Sequence, residues 1–144
     1  MRRVQDLLAV KADGYYWVEG DASVFTALGV MARHDVGAVL VLEGPVLIGI
    51  LSERDYAREV ALRGRTSRDT RVREIMSQDV ICVAPFDTID DCMALMTEHR
   101  IRHLPVVSDD TVLGVVSIGD VVKAIMRRQE STIRELQGYI AGVG

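Results

Sequence analysis

Ser52 and Asp55 stand three positions apart, directly after Gly49-Ile50-Leu51. Ser117 and Asp120 repeat that spacing after Gly114-Val115-Val116. A serine followed three residues later by an acid is a helix capping box, in which each side chain accepts from the other's backbone N–H. Such a cap stabilises by about 1 kcal/mol and needs no ligand. The same pair also suits a nucleotide. A serine at a helix N-terminus stands among free N–H groups that attract phosphate. An aspartate one turn on can accept hydrogen bonds from both hydroxyls of a ribose. Gly49 and Gly114, near the ends of strands, allow close approach of a backbone or a ligand. The two roles are compatible, because a cap can also touch a ligand.

The echo extends far beyond the motif. The second copy follows the first by 65 positions, so Val18 falls on Val83, Met31 on Met96, His34 on His99 and Val41 on Val106. No gap is needed from Val18 to Val60. Upstream, Val4-Gln5-Asp6-Leu7-Leu8 resembles Val72-Arg73-Glu74-Ile75-Met76 after a small change of spacing. This is an internal duplication.

Each copy must place its serine and aspartate with the same elements. A short apolar segment, Tyr15–Val18 or Val80–Val83, reads as a strand. Asp21 and Ser23 offer caps to a first helix, and Thr88 with Asp91 matches a capping box for its counterpart. Val24, Ala27, Leu28, Met31 and Ile89, Cys92, Met93, Met96 then follow the spacing of one buried helix face. Two aliphatic runs around Glu43-Gly44-Pro45, and two around Ser108-Asp109-Asp110, read as hairpins. A last helix opens near Glu53 and near Ile118. The order per copy is β-α-β-β-α with a lead helical turn, an α/β (α+β) fold. One copy of about 60 residues is marginal alone. Two can bury their sheet faces against each other around a pseudo-twofold axis, leaving related clefts where pockets tend to form. The expected division is 1–66 for the first repeat with its lead helix, 67–128 for the second and 129–144 for a helical tail.

Composition agrees with a globular chain. Of 144 residues, 49% are hydrophobic and 26% charged, while aromatics are only 5%, so the core must be aliphatic. The net charge of −4 lacks the basic balance of a nucleic-acid binder. No apolar run is long enough to span a bilayer, and Asp6 interrupts the short apolar start that a secretory signal would need. Cys82 and Cys92 both lie among apolar neighbours, which reads as two buried thiols in a reducing cytoplasm.

The duplication, the Gly-h-h-Ser-x-x-Asp echo (h, hydrophobic) and the segment His99–Val106 resemble a pair of CBS domains, the module named after cystathionine β-synthase. The resemblance covers the chain from about Val4 to Met126, and within that family the chain resembles the short stand-alone bacterial CBS pairs. It implies a regulatory module, not an enzyme, that binds AMP, ADP, ATP, NAD(H) or S-adenosylmethionine without a catalytic cofactor. Apolar first-strand residues would hold the adenine, Val80 and Ile81 in one site and Tyr16 and Trp17 in the other. Backbone at Ala38–Val39 and at His103, Leu104 and Pro105 would read the base edge. Asp55 and Asp120 would take the ribose, and Ser52 and Ser117 the phosphate. Carboxylates on the ribose disfavour a 2′-phosphate, so NAD fits better than NADP. The resemblance also implies a flat homodimer of four repeats and an unidentified regulated protein, with no nucleic acid or membrane. The alternative is a structural dimerisation module with vestigial pockets.

The copies differ where ligand preference would be set. Arg102 and His103 replace Gly37 and Ala38, and a guanidinium forks onto phosphate oxygens; a solvated helix end is the other reading. Arg54 faces Gly119, so one site gains charge where the other gains space, and two sites of unequal affinity are expected. The basic segment Arg63–Arg73 reads as a solvated linker ahead of a polyphosphate clamp. Lys11, Thr70 and Arg71 are weaker ligand candidates. Cys82, Cys92, His99 and His103 match no zinc spacing, and neither serine has an evident triad partner or nucleophile elbow. His34 and His99 fall at helix ends, where capping or solvation is expected. Ile133, Leu136, Tyr139 and Ile140 form an apolar stripe that packs on its own module or on a dimer mate.

Overall fold

Both expected hairpins form, because left-handed backbone sits at each turn. The computed structural model describes residues 2–11 and 14–143, with side chains through residue 140. Strands β2 (Ala38–Glu43) and β3 (Val46–Ser52) pair antiparallel around Gly44, at φ +61°. Strands β4 (His103–Ser108) and β5 (Thr111–Ser117) pair the same way around Asp109 and Asp110, at φ +51° and +61°. Two consecutive positive φ angles match the twist of a tight hairpin. The register slips after Val41 in one hairpin and after Val106 in the other, at equivalent positions.

The first strands differ. β1 (Trp17–Glu19) runs parallel to β2 and makes a three-stranded sheet in the order β1-β2-β3. The strand expected at Val80–Val83 shrinks to one bridge between Val83 and Val106. Val83 N donates to Pro105 O, and Val107 N donates to Val83 O. The next donors in either direction would be Pro105 and Pro85, which have no N–H. In the first copy Leu40, the counterpart of Pro105, donates to Tyr16 O and extends the ladder.

Helices α2 (Val24–His34) and α5 (Ile89–His99) each bury one face, Val24, Ala27 and Met31 or Ile89, Cys92 and Met96. Ser23 Oγ caps the first by accepting from Thr26 N, and Thr88 and Asp91 form a capping box on the second. Both stop at a left-handed residue, Asp35 and Arg100. The last helices diverge. In the first copy α3 (Glu53–Tyr56) passes into a π-helical segment, Ala57–Ala61. In the second, α6 (Ile118–Val143) runs unbroken for 26 residues, so the expected tail is its continuation.

The lead helices are exchanged. In α1 (Val4–Val10), Val4 and Leu7 are buried with Val83, Ile89, Leu104 and Val116 of the second copy. In α4 (Val72–Ile75), Val72 and Ile75 are buried with Val18, Val24, Val41 and Leu51 of the first. Arg3 bridges Thr88, and Arg71 bridges Ser23. Each half therefore completes its core with a segment that precedes the other half.

A third cluster joins the sheets. Val39 and Val41 face the helices of their own copy, while Leu40 and Leu42 pack with Val112 of the other. β2 is thus apolar on both faces, as the unbroken run Ala38–Leu42 requires. Burying each such side chain contributes roughly 1.5–3 kcal/mol.

Candidate functional site

Both serine–aspartate pairs are capping boxes. Asp55 N donates to Ser52 Oγ at 3.2 Å, while Ser52 N and Ser52 Oγ donate to Asp55 Oδ2 at 2.8 and 3.0 Å. Asp120 N donates to Ser117 Oγ at 3.2 Å, and Ser117 N donates to Asp120 Oδ2 at 2.9 Å. In each pair Oδ1 accepts no hydrogen bond from a side chain or backbone group among the described residues. The cap consumes one carboxylate oxygen and leaves the other.

A cleft of about 300 Å³ opens beside Ser117. Its apolar wall belongs to the first copy: Tyr15 and Tyr16 before β1, Val36 after α2, and Ala38 and Val39 at the start of β2. The facing wall belongs to the second copy, with His103, Val115 and Ser117. The Tyr16 ring stacks on His34 with centroids 3.8 Å apart and planes 8° from parallel. His34 lines the cleft where capping or solvation was expected. Its recurrence as His99 was the available signal.

Lys11, at the end of α1, crosses into the same cleft. Its Nζ donates to Val115 O and to Asp120 Oδ2, both at 2.8 Å. Burial alone would raise the Asp120 carboxyl, but the Lys11 ammonium and the Ser117 N–H more than offset it, holding the carboxyl below the usual carboxylate range. Burial pushes the His103 imidazole below its ordinary value, and Lys11 adds to this against the opposing charge of Asp120. At neutral pH Lys11, Asp120 and His103 therefore bring an ammonium, an ionised carboxylate and a neutral imidazole to one edge of the cleft, and Asp35 and His34 line it as well.

The other expected ligand residues are scattered. Trp17 is exposed outside the cleft. Val80 and Ile81 are half-buried, and Ile81 packs on the second core. Leu104 lies in that core, and Pro105 is buried with its carbonyl bound by Val83 N. Gly49 and Gly114 are approached by side chains of the exchanged helices. A Cβ at Gly49 would lie 2.5 Å from Met76 Sδ and 3.0 Å from Ser77 O, and one at Gly114 would lie 2.9 Å from a Leu8 methyl. Met76 and Leu8 are equivalent in the duplication. Thr70 is buried, donating to Thr66 O, and Arg71 pairs with Asp21 at 3.8 Å, so neither reaches the cleft.

The CBS domain model matches residues 6–62 and again 72–127. The chain is a tandem pair of CBS domains. It is 41% identical over 137 residues to the CBS domain-containing protein CBSX3, mitochondrial, of Arabidopsis thaliana, covering 91% of this chain and 66% of that protein's length. It is 36% identical over 103 residues to the CBS domain-containing protein YhcV of Bacillus subtilis, covering 72% and 73%. A solved protein with CBS domains from Burkholderia ambifaria superposes with a TM-score of 0.84 at 44% identity, covering 88% of this chain and 96% of its own.

The CBS pair has a second depression, about 330 Å³ and more open, whose Arg102 and Ile118 directly adjoin His103 and Ser117 of the first cleft in the chain. It is lined by Arg54, Arg100 and Arg102 with Thr97, Ile101 and Ile118. None of the three guanidiniums has a carboxylate partner among the described residues. Gly119, opposite Arg54 in the duplication, is exposed and meets only Ser117 Oγ, at 3.6 Å from a built Cβ. The linker arginines, by contrast, are engaged within the fold. Arg63 pairs with Glu59, Arg65 with Glu74 and Arg73 with Asp21, and Arg68 lies over the Phe25 ring.

Cys82 is exposed, which corrects its reading as a buried thiol, because its stretch makes one bridge and no strand. Cys92 is buried in the second core, and burial, with Asp87 and Asp91 adding to it, raises its thiol to about 11. No cluster of three metal-ligating side chains occurs among the described residues, and no helix there is long and apolar enough to cross a membrane.

Proposed function

We propose that this CBS pair is a regulatory module that binds an adenine nucleotide (AMP, ADP, ATP or NAD(H)) between its repeats and passes a conformational change to a partner or to its own homodimer. The observation that carries the proposal is the composite cleft. An aromatic and apolar wall from one copy faces a serine-capped helix N-terminus and a carboxylate with a free oxygen from the other. A planar base fits the wall, a ribose hydroxyl fits Asp120 Oδ1, and phosphate oxygens suit Ser117, Lys11 and the His103 imidazole once it takes up a proton. The depression at Arg54, Arg100 and Arg102, with Ser52 and Asp55 on the related helix, is the second and more cationic site. A ligand spanning both copies shifts their arrangement only by its preference for one state.

Thermal unfolding with AMP, ADP, ATP, NAD, NADH and S-adenosylmethionine tests this, on the wild type and on Asp120→Ala. Ligand at 100 times its Kd adds about 2.7 kcal/mol, which raises the midpoint by several degrees. A rise that is reduced in Asp120→Ala supports the sensor. No rise with any of the six favours a structural dimerisation module, a reading that the completed capping boxes also support, since both serines and aspartates have partners without a ligand.

A further inference from the structure

Helix α6 overshoots what the duplicated fold requires. Its counterpart in the first copy ends at Ala61, which corresponds to Met126, and the family match ends at residue 127. Up to that point α6 packs inward through Val121, Ala124 and Ile125, and Arg128 makes a last tie to Asp90 at 3.0 Å. Every residue from 129 to 140 is exposed. The remaining 15 residues extend for about 22 Å at 1.5 Å per residue. This stretch propagates from the packed half of α6 but has no packed face of its own, and most helical stability in proteins comes from such packing.

The exposed face carries a seam. Val122, Met126, Gln129, Ile133, Leu136 and Ile140 recur at alternating steps of four and three. Ile133, Leu136 and Ile140 are 53%, 59% and 70% exposed. That alternation is a heptad repeat, with Met126, Ile133 and Ile140 at one seam position and Gln129 and Leu136 at the other. Isoleucine at the first and leucine at the second is the pattern of a parallel two-stranded coiled coil. Gln129 decides the direction. In a parallel pair in register it meets the same glutamine and can exchange hydrogen bonds. In an antiparallel pair it faces an aliphatic layer and stays unsatisfied. Arg127, Arg128 and Arg134 fall outside the seam, so pairing brings no like charges together.

We propose that the distal half of α6 is a self-association site that zips in parallel against α6 of a second copy, independently of the nucleotide sites. The symmetry is twofold, and the seam residues are their own complement.

The test uses the full chain with Cys82→Ser and a single new cysteine, Leu136→Cys on the seam or Ser131→Cys on the opposite face. Mild oxidation of dilute protein links chains efficiently through position 136 and not through 131. Adding Ile133→Asp to the seam variant abolishes the link, while the thermal midpoint of the exposed-site variant stays within a few degrees of wild type. Equal linking at both positions, no linking at either, or linking that survives Ile133→Asp overturns the proposal. So does a monomer that instead sediments with phosphatidylserine vesicles, which assigns the face to a membrane.

Discussion

Lys11 Nζ and Asp120 Oδ2 meet at 2.8 Å from opposite ends of the chain, 109 positions apart. The pair ties the end of the lead helix of the first repeat to the last helix of the second, beside the cleft that Lys11 lines. Both side chains keep about a quarter of their exposure, 26% and 22%, so solvent screens the pair only in part.

The pair gives stability a pH dependence. The folded Asp120 carboxyl lies below its unfolded value near 3.8. Its contribution is therefore fully present above that value and is lost as pH falls through the folded one. Lys11→Met should cost about 1 kcal/mol at pH 7 and much less near pH 2. Urea unfolding of both proteins at the two pH values checks this, and an undiminished difference in acid would contradict it.

The two motif glycines should not be equally replaceable. At Gly49 a methyl meets the Met76 sulfur and the Ser77 carbonyl, and backbone cannot swing aside. At Gly114 it meets only the end of the Leu8 side chain. Gly49→Ala should cost about 1–3 kcal/mol as overpacking and Gly114→Ala clearly less. Denaturant midpoints in the reverse order would refute the packing argument.

Tyr16 and Trp17 are adjacent, but only Tyr16 lines the cleft. Stacking a base on an aromatic ring is worth about 1–3 kcal/mol. Calorimetric titration should show Tyr16→Ala weakening nucleotide binding by roughly that amount and Trp17→Ala leaving it nearly unchanged. Equal losses would place the base elsewhere.

Exchange of the lead helices makes Leu7 a core residue of the second repeat. Leu7→Ala should cost about 2–5 kcal/mol. Its amide exchange should quicken first in α5, β4 and β5, although the substitution lies ahead of the first repeat. Loss confined to β2 and β3 would show that α1 serves its own half.

The duplication, the β-α-β-β-α order of the first copy, the hairpins and the capping boxes were legible in the sequence, because all rest on local chemistry. Apolar periodicity, turn residues and cap spacing act within a few positions. The strand expected at Val80–Val83 fails for a local reason that the apolar pattern obscures: Pro85 and Pro105 cannot donate to a ladder wherever they fold. What no local pattern carried was the pairing of distant surfaces. Only the tertiary structure decided that α1 and α4 trade halves, that Lys11 holds Asp120, that the motif glycines accommodate side chains of those helices, and that the cleft takes one wall from each copy. Those outcomes follow from closing two similar halves around a shared core. Equivalent residues offer equivalent local signals, so sequence alone cannot tell which copy's partner each will meet.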